Sequence, residues 1–182
     1  MLTRMTSWVA LLRGVNVGGI TVRGADLADL FRGLGFDGVK TVLASGNVLF
    51  DADAGTSARS DLKTRIEKAL RDRFGYDAWI VLVPRVELDD AIEGFPFDAE
   101  DADRQPWVIF CSDSATVGEL LEAASSLDEG VDPVAPGRGV VYWNPVKGTT
   151  VDTPFAKLLA QKRYKAMTTN RNLRTLRKIA GR

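Results

Sequence analysis

The chain contains no histidine. That absence removes serine–histidine triads, histidine-ligated zinc and the side chain that most often moves protons near neutral pH. Cysteine occurs once, at Cys111, so no disulfide can form within the chain. The apolar run Trp107-Val-Ile-Phe-Cys111 predicts a buried core thiol, since a catalytic one wants a basic neighbour to lower its pKa. No apolar run approaches the roughly eighteen residues of a membrane span, and the opening Met-Leu-Thr-Arg-Met-Thr-Ser-Trp lacks the apolar centre of a secretory signal. A cytoplasmic, reducing location is the expectation. Excess charge is missing too: 24 Lys and Arg balance 24 Asp and Glu.

What is present is an ordinary globular composition, 45% hydrophobic and 26% charged, in a chain of 182 residues that can bury one good core or two smaller halves. The neutral total hides an uneven distribution. From Val86 to Asp132 there are fourteen acidic residues against the single basic Arg104, whereas Thr153 to Arg182 holds nine basic residues and no acidic one. Such a tail either pairs with the acidic middle of the same chain or offers a cationic surface to a partner.

The chain is organised around Trp8 to Gly19. Five apolar residues end at Arg13, and a glycine-studded stretch follows at once. A short apolar run bounded by glycine reads as a strand buried on both faces. Gly14, Gly18 and Gly19 permit positive φ and close approach of the backbone to another group, while Arg13 and Asn16 supply the polar side chains. Next, Leu27, Leu30, Phe31 and Leu34 form one apolar helix face, stopped by Gly35. Val39–Ala44 and Val48–Phe50 are strands joined at Ser45-Gly46-Asn47. Thr56 and Ser57 are N-cap candidates for a helix using Leu62, Ile66, Leu70 and Phe74. Trp79–Val83 is another strand. The order β-α-β-β-α-β is the ferredoxin-like, split β-α-β unit.

After a short helix on Leu88 and Ile92, an acidic connector leads to a second pass. Val108–Cys111 is a strand, and Thr116 with Glu119 forms a capping box. Pro136-Gly-Arg-Gly139 turns into Val140–Trp143, with Pro133 limiting the preceding segment to a short edge strand. Thr153-Pro154 starts a helix, and a last helix uses Leu173 and Leu176. No closing strand is visible. The fold class expected is therefore α+β: two ferredoxin-like halves, residues 1–97 and 104–182, the second degenerate and ending in extra helices, packed as one compact unit.

Topology then brings chemistry together. The first and second strands of such a unit run the same way, so the glycine stretch and the Ser45-Gly46-Asn47 hairpin share one end of the sheet. Main-chain N–H groups in a glycine loop entering a helix favour a phosphate or carboxylate, and Arg13 can add a bidentate contact. A second anion-seeking place is Thr168-Thr169-Asn170, read as the cap of a helix bearing Arg171, Arg174, Arg177 and Lys178. The ligand-binding candidates are thus Arg13, Gly14, Asn16, Gly18, Gly19, Ser45, Asn47, Thr169, Arg171 and Asn172. The alternative is that Arg13 and Asn16 tie the loop together and Asn47 holds a tight turn.

Other chemistries fit less well. Gly14-x-Asn16-x-x-Gly19 lacks the middle glycine of a dinucleotide fingerprint, and no Gly-Lys-Ser/Thr follows as in a P-loop. Asp98, Glu100, Asp101 and Asp103 lack the glycine and final glutamate of a calcium loop and read as a solvated linker. No metal site and no cofactor is expected.

The stretches Leu12-Arg-Gly-Val-Asn-Val-Gly-Gly19, Leu34-Gly-Phe36, Ser45-Gly-Asn-Val-Leu-Phe50, Phe95-Pro-Phe97 and Thr168-Thr-Asn-Arg-Asn172 resemble the bacterial domain of unknown function 1697 family. The resemblance covers essentially the whole chain and implies a two-halved ferredoxin-like fold, with no settled activity. The C-terminal motif keeps Arg171, Asn172 and Thr175 but has Leu173 and Arg174 where the family carries Trp and Asn. Ile20 replaces a common basic residue. Three functional classes stay open. The first is a binder of a phosphate-bearing nucleotide or sugar. The second is an interaction module, with a homodimer among its partners, and the third is a small enzyme on a phosphorylated metabolite. Catalysis is disfavoured because carboxylates near the loop are few, and nucleic acid is a weaker partner because only Tyr164 interrupts the basic tail with an aromatic.

Overall fold

A computed structural model describes residues 5–15, 19–44 and 46–182; Asn16, Gly18 and Ser45 lie outside them. The chain divides into two compact units, Met1–Leu88 and Asp89–Arg182.

In the first unit, β1 (Thr6–Arg13), α1 (Gly24–Gly33), β2 (Asp37–Val42), β3 (Asn47–Ala52), α2 (Arg59–Phe74) and β4 (Trp79–Pro84) follow in order. The sheet order is β2-β3-β1-β4 with antiparallel neighbours, the split β-α-β arrangement read from the sequence. The apolar run of β1 is buried at every position from Trp8 to Leu12, at 1% exposure or less, so both sheet faces are covered. Trp8, Ala10 and Leu12 turn toward α1 and α2 and pack with Leu27, Phe31, Ile66 and Leu70. Phe31, Phe36 and Phe50 meet there with ring centroids 4.5–6.0 Å apart. The opposite alternation carries Val9 and Leu11, buried as well. Thr56 and Ser57 form a short 3-10 turn with no side-chain cap instead of capping α2 directly. The chain tightens through that turn before the α-helical spacing begins at Arg59.

The second unit repeats the scheme after α3 (Arg85–Glu93): β5 (Trp107–Cys111), α4 (Ser114–Ala124), β6 (Val134–Pro136), β7 (Val140–Trp143), α5 (Pro154–Ala160), α6 (Lys162–Lys165), β8 (Thr168–Asn172) and α7 (Leu173–Ile179). Its sheet order, β6-β7-β5-β8, matches the first position for position. The expected missing strand is therefore present: Thr168-Thr-Asn-Arg-Asn172 is β8, paired antiparallel with β5. The segment escapes pattern reading because it has no apolar residue. Its polar side chains find partners of their own, such as Thr168 Oγ1 donating to the Tyr164 carbonyl at 2.9 Å. It follows that Thr168-Thr169-Asn170 caps no helix. Asn172 does: its Oδ1 accepts from the Arg174 N–H at 3.0 Å at the start of α7.

The cap of α4 also differs from the expected box. Asp113, not Thr116, is the N-cap, and its Oδ1 accepts from the Thr116 N–H at 2.7 Å and hydroxyl at 2.9 Å. A carboxylate is the stronger acceptor and also complements the helix dipole. Glu119 is then free to pair with Arg163 on α6. Thr153 caps α5, with Pro154 at its first position, as read from the sequence.

Candidate functional site

Arg13 closes β1 and stands opposite Trp79 at the start of β4. Because Leu12 belongs to the helix-covered face, alternation turns Arg13 to the other face. Its guanidinium lies 5.9 Å from the Trp79 ring centroid, and Lys63 Nζ of α2 lies 4.8 Å from the same ring. Half-burial lowers the Arg13 pKa from its ordinary value by desolvation, which leaves it a cation at any physiological pH.

Asn47 begins β3 opposite Leu11, on the same face and at the same end of the sheet as Arg13. This juxtaposition is the one topology requires. Asn47 is fully buried, and its Nδ2 donates to the Val42 carbonyl at 2.9 Å, so its side chain locks the turn between β2 and β3. Gly46 holds φ 75 in that turn, and its carbonyl accepts from the Leu12 N–H at 2.8 Å. Gly14 and Gly19 hold φ 75 and 89, and a Cβ on either would meet nothing within 4 Å. Backbone conformation alone therefore calls for glycine at these two places. Beside them, on the helix side, Val15, Val22, Leu27, Leu43 and Gly46 line a shallow apolar notch. Leu43, half-exposed at φ 60, is a bulky residue in a region that glycine normally fills.

Thr169, Arg171 and Asn172 belong to the second unit. Arg171 is buried, and desolvation pushes its pKa down to about 10. Its Nη1 donates to Thr169 Oγ1 at 2.9 Å and to the Asn170 carbonyl at 3.0 Å. Part of the basic tail pairs with the acidic middle of the chain, the first of the two alternatives read from the sequence: Arg163 with Glu119, Arg177 with Glu100 at 2.9 Å, and Arg182 with Asp89 and Glu93 at 3.5 and 2.9 Å. Cys111 is a buried core thiol, its pKa pushed up to about 12 by desolvation and by Asp113. Sequence reasoning missed Trp79 and Lys63. The signal for Trp79 was its place at the head of the strand that must lie beside β1.

In the first unit, residues 14–23 join β1 to α1; in the second, residues 112–113 make the same connection between β5 and α4. The fold thus closes this link with two residues, and the first unit spends ten.

Two split β-α-β units in one chain, one of them carrying an enlarged glycine connection, define an α+β protein of tandem ferredoxin-like build. The chain belongs to the family described as protein of unknown function (DUF1697), whose model matches residues 5–142. That match includes the glycine connection and stops short of the Thr168–Asn172 motif. No curated protein matches the chain. Among solved structures, it is similar to the conserved bacterial protein SP0830 from Streptococcus pneumoniae, with TM-score 0.80 and 23% identity over 98% of both chains. At that identity the likeness concerns the fold.

Proposed function

We propose that this protein is a cytoplasmic binder of a phosphate-bearing small molecule, a nucleotide or a sugar phosphate. The ligand seats at the β1 end of the first unit, its phosphate on the glycine connection and on Arg13. The observation that carries this reading is the length of residues 14–23 against 112–113. Loops longer than their fold requires are where function concentrates. Arg13 at the start of that connection is a permanent, half-buried cation, and a desolvated guanidinium interacts more strongly with phosphate than a solvated one. The lone thiol, with no second cysteine to join, suits a reducing compartment. Thr169 and Arg171 bond to each other within β8, and Asn172 caps α7, so these side chains serve the fold.

The test is a thermal-shift series with inorganic phosphate, adenine nucleotides and hexose phosphates. A ligand at a hundredfold excess over its dissociation constant stabilises the fold by about 2.7 kcal/mol. Arg13→Ala is expected to abolish the shift while Arg171→Lys, if folded, retains it. No shift with any of these compounds would remove the reading.

A further inference from the structure

The crossover between the third and fourth strands occurs twice in this chain, as α2 and as α5 with α6, and the two copies treat their cations differently. On α2, Arg59 pairs with Glu87 at 2.5 Å, Lys63 with Glu67, and Lys68 with Asp72 at 2.5 Å. Arg65 donates to the Leu34 carbonyl. The second copy carries Lys157, Lys162, Arg163 and Lys165, all exposed, and no acidic residue follows Asp152. Arg163 is held by Glu119. Among the described residues, no ion pair or side-chain hydrogen bond engages Lys157, Lys162 or Lys165. Four of the six cations of α2 (Arg59, Lys63, Lys68 and Arg71) have a carboxylate within 4.0 Å, against one of four in the second copy, so the fold does not demand the bare charge.

We propose that the α5–α6 surface docks on the phosphodiester backbone of duplex nucleic acid. The chemistry of the face selects this partner. Its apolar residues, Phe155, Leu159 and Tyr164, point into the core, so it offers no exposed aromatic for stacking on unpaired bases. It likewise lacks the aromatic anchors that concentrate energy in protein interfaces and the apolar residues that insert into a bilayer. Lysines on flexible stems remain, and these suit backbone phosphates that need charge and carry no sequence information. Lys162 and Lys165, three apart on α6, share one side of that turn.

Fluorescence anisotropy of the full chain with a short DNA duplex and its RNA counterpart, across a salt series, tests the proposal. Three phosphate contacts give a slope of log affinity against log salt of about −3. The triple variant Lys157→Gln, Lys162→Gln, Lys165→Gln is expected to lose about tenfold or more in affinity at low salt with its melting temperature unchanged, whereas Lys68→Gln on α2 leaves binding as it was. Whichever duplex binds more tightly identifies the source of the phosphates. Absence of binding to both, or equal binding by the triple variant, overturns the proposal. So does equal affinity for polyglutamate, which points to an acidic protein, or for phosphatidylserine vesicles, which points to a membrane.

Discussion

Gly46 and Gly139 occupy the same place in the two sheets. Each holds positive φ, 75 and 73 respectively, and the carbonyl of each accepts from the central strand, Gly46 from the Leu12 N–H at 2.8 Å and Gly139 from the Cys111 N–H at 3.2 Å. Their surroundings differ. A Cβ on Gly46 would stand 2.5 Å from Val15 Cγ2 and 2.8 Å from Leu12 Cβ, whereas one on Gly139 would meet nothing within 4 Å. Gly139→Ala is therefore expected to cost about 1–2 kcal/mol from the left-handed backbone alone. Gly46→Ala adds an overpacking loss of roughly 1–3 kcal/mol. Equal urea midpoints for the two variants would contradict this.

The first unit was legible because its sheet is written in apolar alternation and its helices in three-four spacing: Trp8–Leu12, Leu27 to Leu34, Leu62 to Phe74. The end-of-sheet meeting of Arg13 and Asn47 followed from topology alone. The second unit was legible up to α5. β8 was not, because its five residues are Thr, Thr, Asn, Arg and Asn, and burial there is satisfied by side chains bonding to neighbours rather than by apolar contact. Pattern reading has no template for such a strand, and its cap-like letters suggested a helix start. The partners of the tail were hidden for a related reason, since Arg177 and Glu100 are far apart in sequence and only the fold brings them together.

Asp132 organises the second core. Its carboxylate is buried and accepts from Trp143 Nε1 at 2.9 Å and from the Phe155 N–H at 3.0 Å, joining the sheet to the start of α5. Asp132→Ala strands two buried donors at about 1–3 kcal/mol each, so a loss of roughly 2–5 kcal/mol is expected in denaturant titration. Asp132→Asn keeps one acceptor oxygen and should fall between the variant and the wild type. A loss under about half a kcal/mol for the alanine variant would mean that water replaces the carboxylate.

Side chains guard one outer strand of each sheet, β4 and β8. The Leu12–Gly46 bond fixes the alternation of β1 and leaves Ile80, Leu82 and Pro84 of β4 with outward main-chain groups. Glu67 accepts from the Ile80 N–H at 3.1 Å, Lys63 donates to its carbonyl at 2.9 Å, and Pro84 has no N–H to expose. On β8 the outward Asn170 carbonyl accepts from Arg171. Unpaired edges recruit other chains. Glu67→Ala should speed hydrogen exchange at the Ile80 amide, and Arg171→Met should bring concentration-dependent association in size-exclusion chromatography. Unaltered exchange and a strictly monodisperse profile would show that these edges are protected in another way.

Cys111 sets an alkaline limit. Its folded pKa of about 12 exceeds the roughly 8.5 of an unfolded thiol, so the unfolded state loses its proton first. The stability owed to the neutral thiol is complete below about pH 8.5 and declines by about 1.4 kcal/mol per unit as pH rises toward the folded value. Between pH 8 and 10 the wild type should therefore lose more stability than Cys111→Val. Parallel decline of the two proteins would refute the coupling.

A chain that builds one fold twice carries its own measure of what the fold requires. Residues 112–113 establish that minimum, and residues 14–23 exceed it. The surplus length lies between β1 and the first turn of α1 and lends two side chains, Val15 and Val22, to the core, so only its remaining positions can be exchanged without altering the residues that fill it. Relatives with this architecture have room to vary at those positions while folding alike, and a chimera with its first connection shortened to the second's length would give up Val15 and Val22 from the core together with the proposed phosphate seat.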